Sequence, residues 1–378
     1  MDPIQMVDLK KQYDFIEEEV TLAMREVLES TAFINGPMVQ AFQKDLEQYL
    51  NVKHVIPCAN GTDALQIALM GLKLEPGDEV ITADFTFAAT VEVISLLQLK
   101  PVLVDVDPQT FNIDPKAIEK AITPKTKAII PVHLFGQAAA MEEILSIAKK
   151  HKLFVIEDNA QGIGADYTFS DGTQAKTGTL GDVSATSFFP SKNLGAYGDG
   201  GAIFTNDDDL AHFIRGIVNH GMYQRYHHDV VGVNSRLDAL QAAVLKVKLQ
   251  YLDFYNERRK EAALRYTDLL KDHPKLITPF RDGACNSHVF HQYTLRVLEG
   301  NREGLAQALQ AKNIPYGIYY PIPLHQQKAY ADPSTDIHAF PVTNQLVKDV
   351  ISLPMHSELS VAQIEYICSE VCAFLDQC

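Results

Sequence analysis

Long apolar runs, paired cysteines and an excess of basic charge are all missing from this sequence of 378 residues. No stretch approaches the ~20 consecutive apolar residues that a helix needs to cross a bilayer. The opening residues, MDPIQMVDLKKQYD, set no apolar segment behind a basic one, so no signal peptide is expected. Cysteines number only five (Cys58, Cys285, Cys368, Cys372 and Cys378), an odd count without a CxxC. Cys368 and Cys372 stand one helical turn apart, but no second pair lies near to complete a metal site. Core or surface roles in a reducing cytoplasm are expected, with no metal. Lys plus Arg total 33 against 48 Asp plus Glu, a formal charge of -15. Such a balance works against binding to nucleic acid or to an anionic membrane. It also poses a question: where would so acidic a protein hold an anionic ligand?

What is present is ordinary for a globular chain: 46% hydrophobic and 21% charged residues. The length suggests two or three domains. Residues 13–29 carry Ile16, Val20, Ala23, Val27 and Leu28 at helical spacing, and Pro37 opens a second amphipathic helix. Short β-rich runs follow at 55–58, 79–82, 102–106, 128–132, 153–156, 184–189 and 202–205. Helical patterns at 63–72, 115–122 and 141–150 separate them. This alternation predicts an α/β fold with a mostly parallel seven-stranded sheet covered on both faces. Residues 236–270 read as one long helical pattern, broken at most once. Beyond it come a strand at 291–297, a helix at 302–312 and a Pro-rich stretch at 319–330. The expected division is a large domain, 1–251, and a smaller C-terminal α/β domain, 252–378, with the N-terminal helix free to pack on either. Residues 171–176 read as a polar loop insertion.

Chemistry is suggested by a lysine without company. In VSATSFFPSKNLGAYG, residues 183–198, Lys192 is the one charge among 16 residues. It follows an apolar strand and precedes a Gly-rich turn. Poor solvation lowers an ammonium pKa and frees a nucleophilic amine, as Schiff-base chemistry requires. A lysine snorkelling to the surface would give the same pattern. LFVIED ends a buried-type strand in acid, and ligands in parallel α/β sheets sit at the carboxyl ends of strands. Asp158 therefore suits a pyridine nitrogen, as pyridoxal 5′-phosphate needs, or else caps a helix. Gln161 lies within reach of a ring hydroxyl. NGTDAL starts a helix at Gly61 and Thr62, whose free amides make an anion site or a plain cap. Phe85 and Phe87 lie at another strand end, where an aromatic ring either stacks on a flat cofactor or fills core.

The ordered set NGTDAL, FTFAAT, EDNAQ, SFFPSKNLGAYGDGG, GVNSRLDALQAA and YYPIPLHQQ resembles the DegT/DnrJ/StrS-type PLP-dependent sugar aminotransferases over essentially the whole chain. The resemblance implies the aspartate-aminotransferase fold, fold type I, and a homodimer whose active sites lie at the subunit interface. It implies that Lys192 carries the cofactor and shuttles the proton, that Asp158 pairs with the pyridinium and that Gln161 contacts the 3-hydroxyl. Phe87 would stack on the ring in preference to Phe85. Gly61, Thr62 and Ser187 would hold the phosphate, helped by Asn234 from the partner. Arg236, also from the partner, would face the nucleotide-sugar, and Tyr320 and His325 fall in the substrate loop. The stretch around Lys192 is most similar to the C3-aminating branch, with glutamate as donor and UDP-2-acetamido-2-deoxy-3-keto-glucuronate as the expected acceptor. A dTDP-3-keto-6-deoxyhexose acceptor is the alternative, as is a PLP-binding regulator without turnover. Surface-polysaccharide synthesis would be the setting.

Other classes fit poorly. Gly162-Ile-Gly164-Ala-Asp-Tyr167 lacks the third glycine of a dinucleotide fingerprint. Phe189 stands where a Ser-x-x-Lys hydrolase needs serine. His227–His228 and His288/His291 have no Cys or acidic neighbours at metal-ligand spacing. Sugar 3-dehydrases of this fold carry histidine where this chain has Lys192.

Overall fold

The computed structural model describes residues 2–281, 288–299, 301–333 and 335–377, so Cys285 and Cys378 lie outside the described residues. Two amphipathic helices open the chain, α1 (Leu9–Ser30), whose first turn is capped by the Asp8 carboxylate, and α2 (Pro37–Leu50), which begins on the proline. The alternating part then runs β1 (His54–Cys58), α3 (Gly61–Gly71), β2 (Glu79–Ala83), α4 (Ala89–Leu96), β3 (Lys100–Val104), α5 (Pro115–Ala121), β4 (Thr126–Ile130), α6 (Met141–His151), β5 (Phe154–Asp158), the short strands β6 (Asp166–Thr168) and β7 (Gln174–Lys176), β8 (Val183–Ser187), β9 (Gly201–Thr205) and α7 (Asp208–Ile217).

Seven of these strands form one sheet in the order β1-β9-β8-β5-β4-β2-β3. The pairs β2–β3, β2–β4, β4–β5 and β5–β8 are parallel; β9 runs antiparallel to both neighbours. All seven expected strands are in it. Three expected runs end later than their strands; in two of them Val106 and Val132 stay buried in isolated bridges beyond the ladder, and in the third Phe188 stays buried beyond β8. Pro57 and Pro101 sit in the edge strands β1 and β3, where a missing N–H costs no internal ladder bond. Successive residues of one strand enter different cores: Val80, Ala128, Ile130 and Ile156 pack with α3, α4 and α7, whereas Ile81, Ile129 and Val155 pack with α5 and α6. That is the double coverage a parallel sheet requires.

The expected polar loop at 171–176 is only partly a loop, since its last residues, Gln174–Lys176, pair with β6 as a hairpin. A second exposed hairpin, β10 (Met222–Gln224) with β11 (His227–His228), precedes the long helical pattern. That pattern breaks once, at residues 250–251, into α8 (Ala239–Leu249) and α9 (Leu252–Leu270). The C-terminal part adds β12 (Leu276–Ile277), β13 (Tyr293–Val297), α10 (Arg302–Ala311), α11 (Pro341–Asp349), β14 (Val350–Leu353) and α12 (Val361–Leu375). Its three strands form an antiparallel sheet, β12-β13-β14, around a core of its own that takes in Tyr266, Leu295, Leu309 and Ile367. The apolar side of α11 packs elsewhere, with Leu346 and Val347 against the core under β2 and β4.

Candidate active site

The carboxyl ends of β5 and β8, adjacent parallel strands at the middle of the sheet, meet the loop that carries Lys192. Phe188 anchors this loop in the core, edge-on to Phe42, with its N–H bonded to Gly200 O and its carbonyl to Ala196 N. Gly195 lies so close to the loop's own backbone that a Cβ there would stand 2.2 Å from Pro190 O. Asn193 fixes the other side, donating to Asn256 Oδ1 (2.7 Å) and Val289 O (3.0 Å). Between these anchors Lys192 is half-buried. Burial pushes its pKa down to about 8, and the nearby Asp158 charge raises it against that trend. The amine is therefore neutral in a far larger fraction near neutral pH than an exposed lysine.

Asp158 is buried, and burial raises its pKa. Thr90 Oγ1 donates to its Oδ2 at 2.9 Å and Ala160 N to its Oδ1 at 3.1 Å. Both bonds favour the carboxylate, as does Lys192. The adjacent acid, Glu157, is spent on the scaffold: its two oxygens accept from His133 Nε2 (2.9 Å) and from the amides of Gly178, Leu180 and Gly181. His133 Nδ1 in turn accepts from Ala139 N, so the proton sits on Nε2 and the ring is neutral. This knot fixes the residue before Asp158 and the one, His133, whose N–H bonds Asp158 O.

At the head of α3, Asn60 Oδ1 takes the amide of Asp63 and Asn60 O takes that of Ala64, leaving the amides of Gly61 and Thr62 with no acceptor in the helix. Gly61 lies against β8 so tightly that a Cβ would meet Ser187 Cβ at 2.6 Å and Ser187 Oγ at 3.1 Å. Two free amides, the Thr62 hydroxyl and the Ser187 hydroxyl thus share one cradle with the positive end of a helix, a donor set for a phosphate. Phe87 is 57% exposed and Phe85 is 1% exposed, so only the former offers a ring face to a ligand. Gln161 accepts from Phe135 N (2.6 Å) and donates to Tyr320 Oη (3.3 Å). Tyr320 lies beside both Phe85 and Phe87. A half-buried amine, a buried carboxylate, a phosphate cradle and an exposed ring together fit pyridoxal phosphate.

The other expected residues lie on segments further along the chain. Asn234 is exposed, and Arg236 is half-buried with Nη1 donating to Asn219 Oδ1 at 3.5 Å. Between them Ser235 Oγ accepts from Ala59 N, which ties this segment to the strand end leading into α3. His325 has a side chain 1% exposed and both ring nitrogens engaged, by Asp84 and Gln326. Thr90, His133, Glu157 and Asp84 were not singled out in sequence. Thr90 lies inside FTFAAT, the one signal that marked its neighbourhood.

A profile of the DegT/DnrJ/EryC1/StrS aminotransferase family matches residues 14–372. The chain belongs to this family. Within it, a UDP-2-acetamido-2-deoxy-3-oxo-D-glucuronate aminotransferase from Pseudomonas aeruginosa is 47% identical over 366 residues, covering 97% of this chain and 99% of the relative. A pleiotropic regulatory protein from Geobacillus stearothermophilus is 46% identical over 373 residues, 98% of each chain. Among solved structures, NtdA from Bacillus subtilis with bound cofactor PMP superposes with a TM-score of 0.91 at 31% identity, over 100% of this chain and 86% of that one. The expected fold class and family of this aminotransferase are borne out.

Proposed function

We propose that this protein is a PLP-dependent aminotransferase that moves an amino group from glutamate to C3 of a nucleotide-linked keto-sugar. The acceptor of first choice is UDP-2-acetamido-2-deoxy-3-keto-glucuronate, and the setting is surface-polysaccharide synthesis in the cytoplasm. The observation that carries this reading is Lys192, an amine with its pKa lowered to about 8, beside the buried Asp158 and facing the same strand ends as the Gly61–Thr62–Ser187 cradle. The Pseudomonas relative supports the choice of sugar, and the PMP bound in NtdA supports the cofactor.

When bound, pyridoxal phosphate supplies the aldehyde that carries the amino group and the ring that takes up the electrons of a broken C–H bond. Lys192 Nζ would hold the cofactor at rest and, once displaced by the incoming amino group, would take the proton from one carbon and return it to another. A pKa near 8 leaves about a tenth of the free amine neutral at pH 7, enough for it to act as base. Asp158, whose carboxylate form the Thr90 and Ala160 hydrogen bonds favour against the effect of burial, would hold the proton on the ring nitrogen. Gly61, Thr62 and Ser187 bind the phosphate, Phe87 covers the ring and Gln161 meets the 3-hydroxyl. Asn234 and Arg236 act in the partner's site of a homodimer, at the phosphate and the nucleotide, and Tyr320 and His325 border the sugar. Residues 252–378 form the second domain.

Purified holoprotein given glutamate and then a panel of UDP- and dTDP-linked 3- and 4-keto-sugars tests this. The cofactor absorbance should shift to the amine form with glutamate and return only with a 3-keto-sugar. No return with any sugar sinks the enzyme reading. It would favour a PLP-binding regulator; the Geobacillus relative is named a pleiotropic regulatory protein. Return with dTDP-3-keto-6-deoxyhexose alone would reassign the acceptor.

A further inference from the structure

Asp84 follows β2 directly and is fully buried. Its Oδ1 accepts from His325 N at 2.8 Å, its Oδ2 pairs with His325 Nδ1 at 2.7 Å, and its carbonyl accepts from Leu324 N at 3.3 Å. Gln326 Nε2 donates to His325 Nε2 at 3.1 Å, so the imidazole carries its proton on Nδ1 and gives it to the carboxylate. The far face of the imidazole stacks on Phe340 at 4.5 Å. One strand over, Asp105 follows β3 and accepts from Val342 N, Thr343 N and Thr343 Oγ1 at 2.8–2.9 Å. Two acids at neighbouring strand ends thus strap down the same C-terminal stretch, across the carboxyl edge of the sheet where Phe85 and Phe87 emerge. What the strap holds in place is Tyr320, against Gln161 and beside Phe87.

We propose that Asp84, acting through His325, is a positioning residue that holds Tyr320 and the 319–327 segment at the keto-sugar side of the site. The inference rests on the aminotransferase reading above. In this role the His325 imidazole is the peg that Asp84 grips. Asparagine is a poor replacement despite its shape. Its amide N–H₂ would face the Nδ1–H of His325, and turning the imidazole proton to Nε2 would then set it against the Gln326 donor.

The test compares wild-type holoenzyme with Asp84→Asn in the two half-reactions. KM for the UDP-linked 3-keto-sugar should rise by about tenfold, the effect of one lost hydrogen bond to a charged group. KM for glutamate and cofactor content should stay within about twofold, since Lys192, Asp158 and the phosphate cradle are untouched. His325→Gln, whose amide still donates to Asp84, should lie between the two. If Asp84→Asn does not fold, His325→Ala, which empties the pair from the other side, must raise the same KM selectively. An unchanged sugar KM, or equal losses with sugar and glutamate, overturns the positioning role. A wild-type enzyme that turns over no keto-sugar instead overturns the functional reading, and this inference with it.

Discussion

Among the described residues two lysines have depressed pKa values, the half-buried Lys192 and the buried Lys248, and their surroundings differ. Lys192, with its pKa lowered to about 8, leaves an irregular loop at the carboxyl ends of two strands, within the field of Asp158. Lys248, lowered to about 7 by burial and then by the charge of Arg259, lies inside α8, is 1% exposed and has no hydrogen-bond partner for Nζ among the described residues. A nucleophile is therefore not marked by its pKa alone. What distinguishes Lys192 is a carboxylate, a phosphate cradle and an exposed ring within the same few strand ends. Lys248 instead has the ring of Tyr197 at 5.6 Å and the like charge of Arg259.

The comparison breaks most simply by exchange of roles. Lys192→Ala should cut transamination by at least about 10³-fold, the loss expected when the base is removed, whereas Lys248→Met should leave kcat within about threefold, as a change remote from the reacting atoms does. Comparable losses in both would contradict the assignment. Asp158→Asn should lower kcat by about 10²–10³-fold while keeping most of the cofactor, as expected when a preorganised charge is lost. The same change removes the charge that raises the Lys192 pKa, so the pH midpoint for cofactor capture by the apoprotein should move below about 8. A midpoint that stays put would separate the two residues.

Lys248 makes the converse prediction for stability. Its folded pKa lies below its unfolded value of 10.5, so between about 7 and 10.5 the unfolded chain binds more protons. Stability must then rise with pH across that window. Lys248→Met should flatten this rise and stabilise the fold at pH 7 by about 1–4 kcal/mol, the range seen when well-packed apolar side chains replace buried ion pairs. Urea titrations of both proteins at pH 7 and pH 9.5 would show it; a steeper rise in the variant would refute it. The smallest effect belongs to Thr90→Val, which takes one donor from Asp158 and should cost about 1 kcal/mol, or fivefold in kcat, with no change in KM.

The sequence disclosed what stands alone and concealed what is paired across distance. Lys192 was visible because no other charge shares its segment, and the sheet because each strand is a short apolar run between helices. The Gly61–Thr62 turn was visible as a helix start. Thr90 meets Asp158 from 68 residues away, His133 meets Glu157 from 24 and Asp84 meets His325 from 241. No spacing rule joins such residues; the parallel sheet does so by gathering its strand ends on one edge. The acidic charge of -15 is resolved in the same way. The Gly61–Thr62–Ser187 cradle is built of amides and hydroxyls that carry no formal charge, and the buried acids Glu157 and Asp84 are paired with His133 and His325 and with backbone N–H groups.

The central claim is that Lys192, and not Lys248, carries the cofactor. Reductive fixation of pyridoxal phosphate to the native holoprotein, followed by mass mapping of the labelled peptide, decides it. One label per chain is expected, on Lys192. A label on Lys248, or none on the Lys192 peptide, would contradict it.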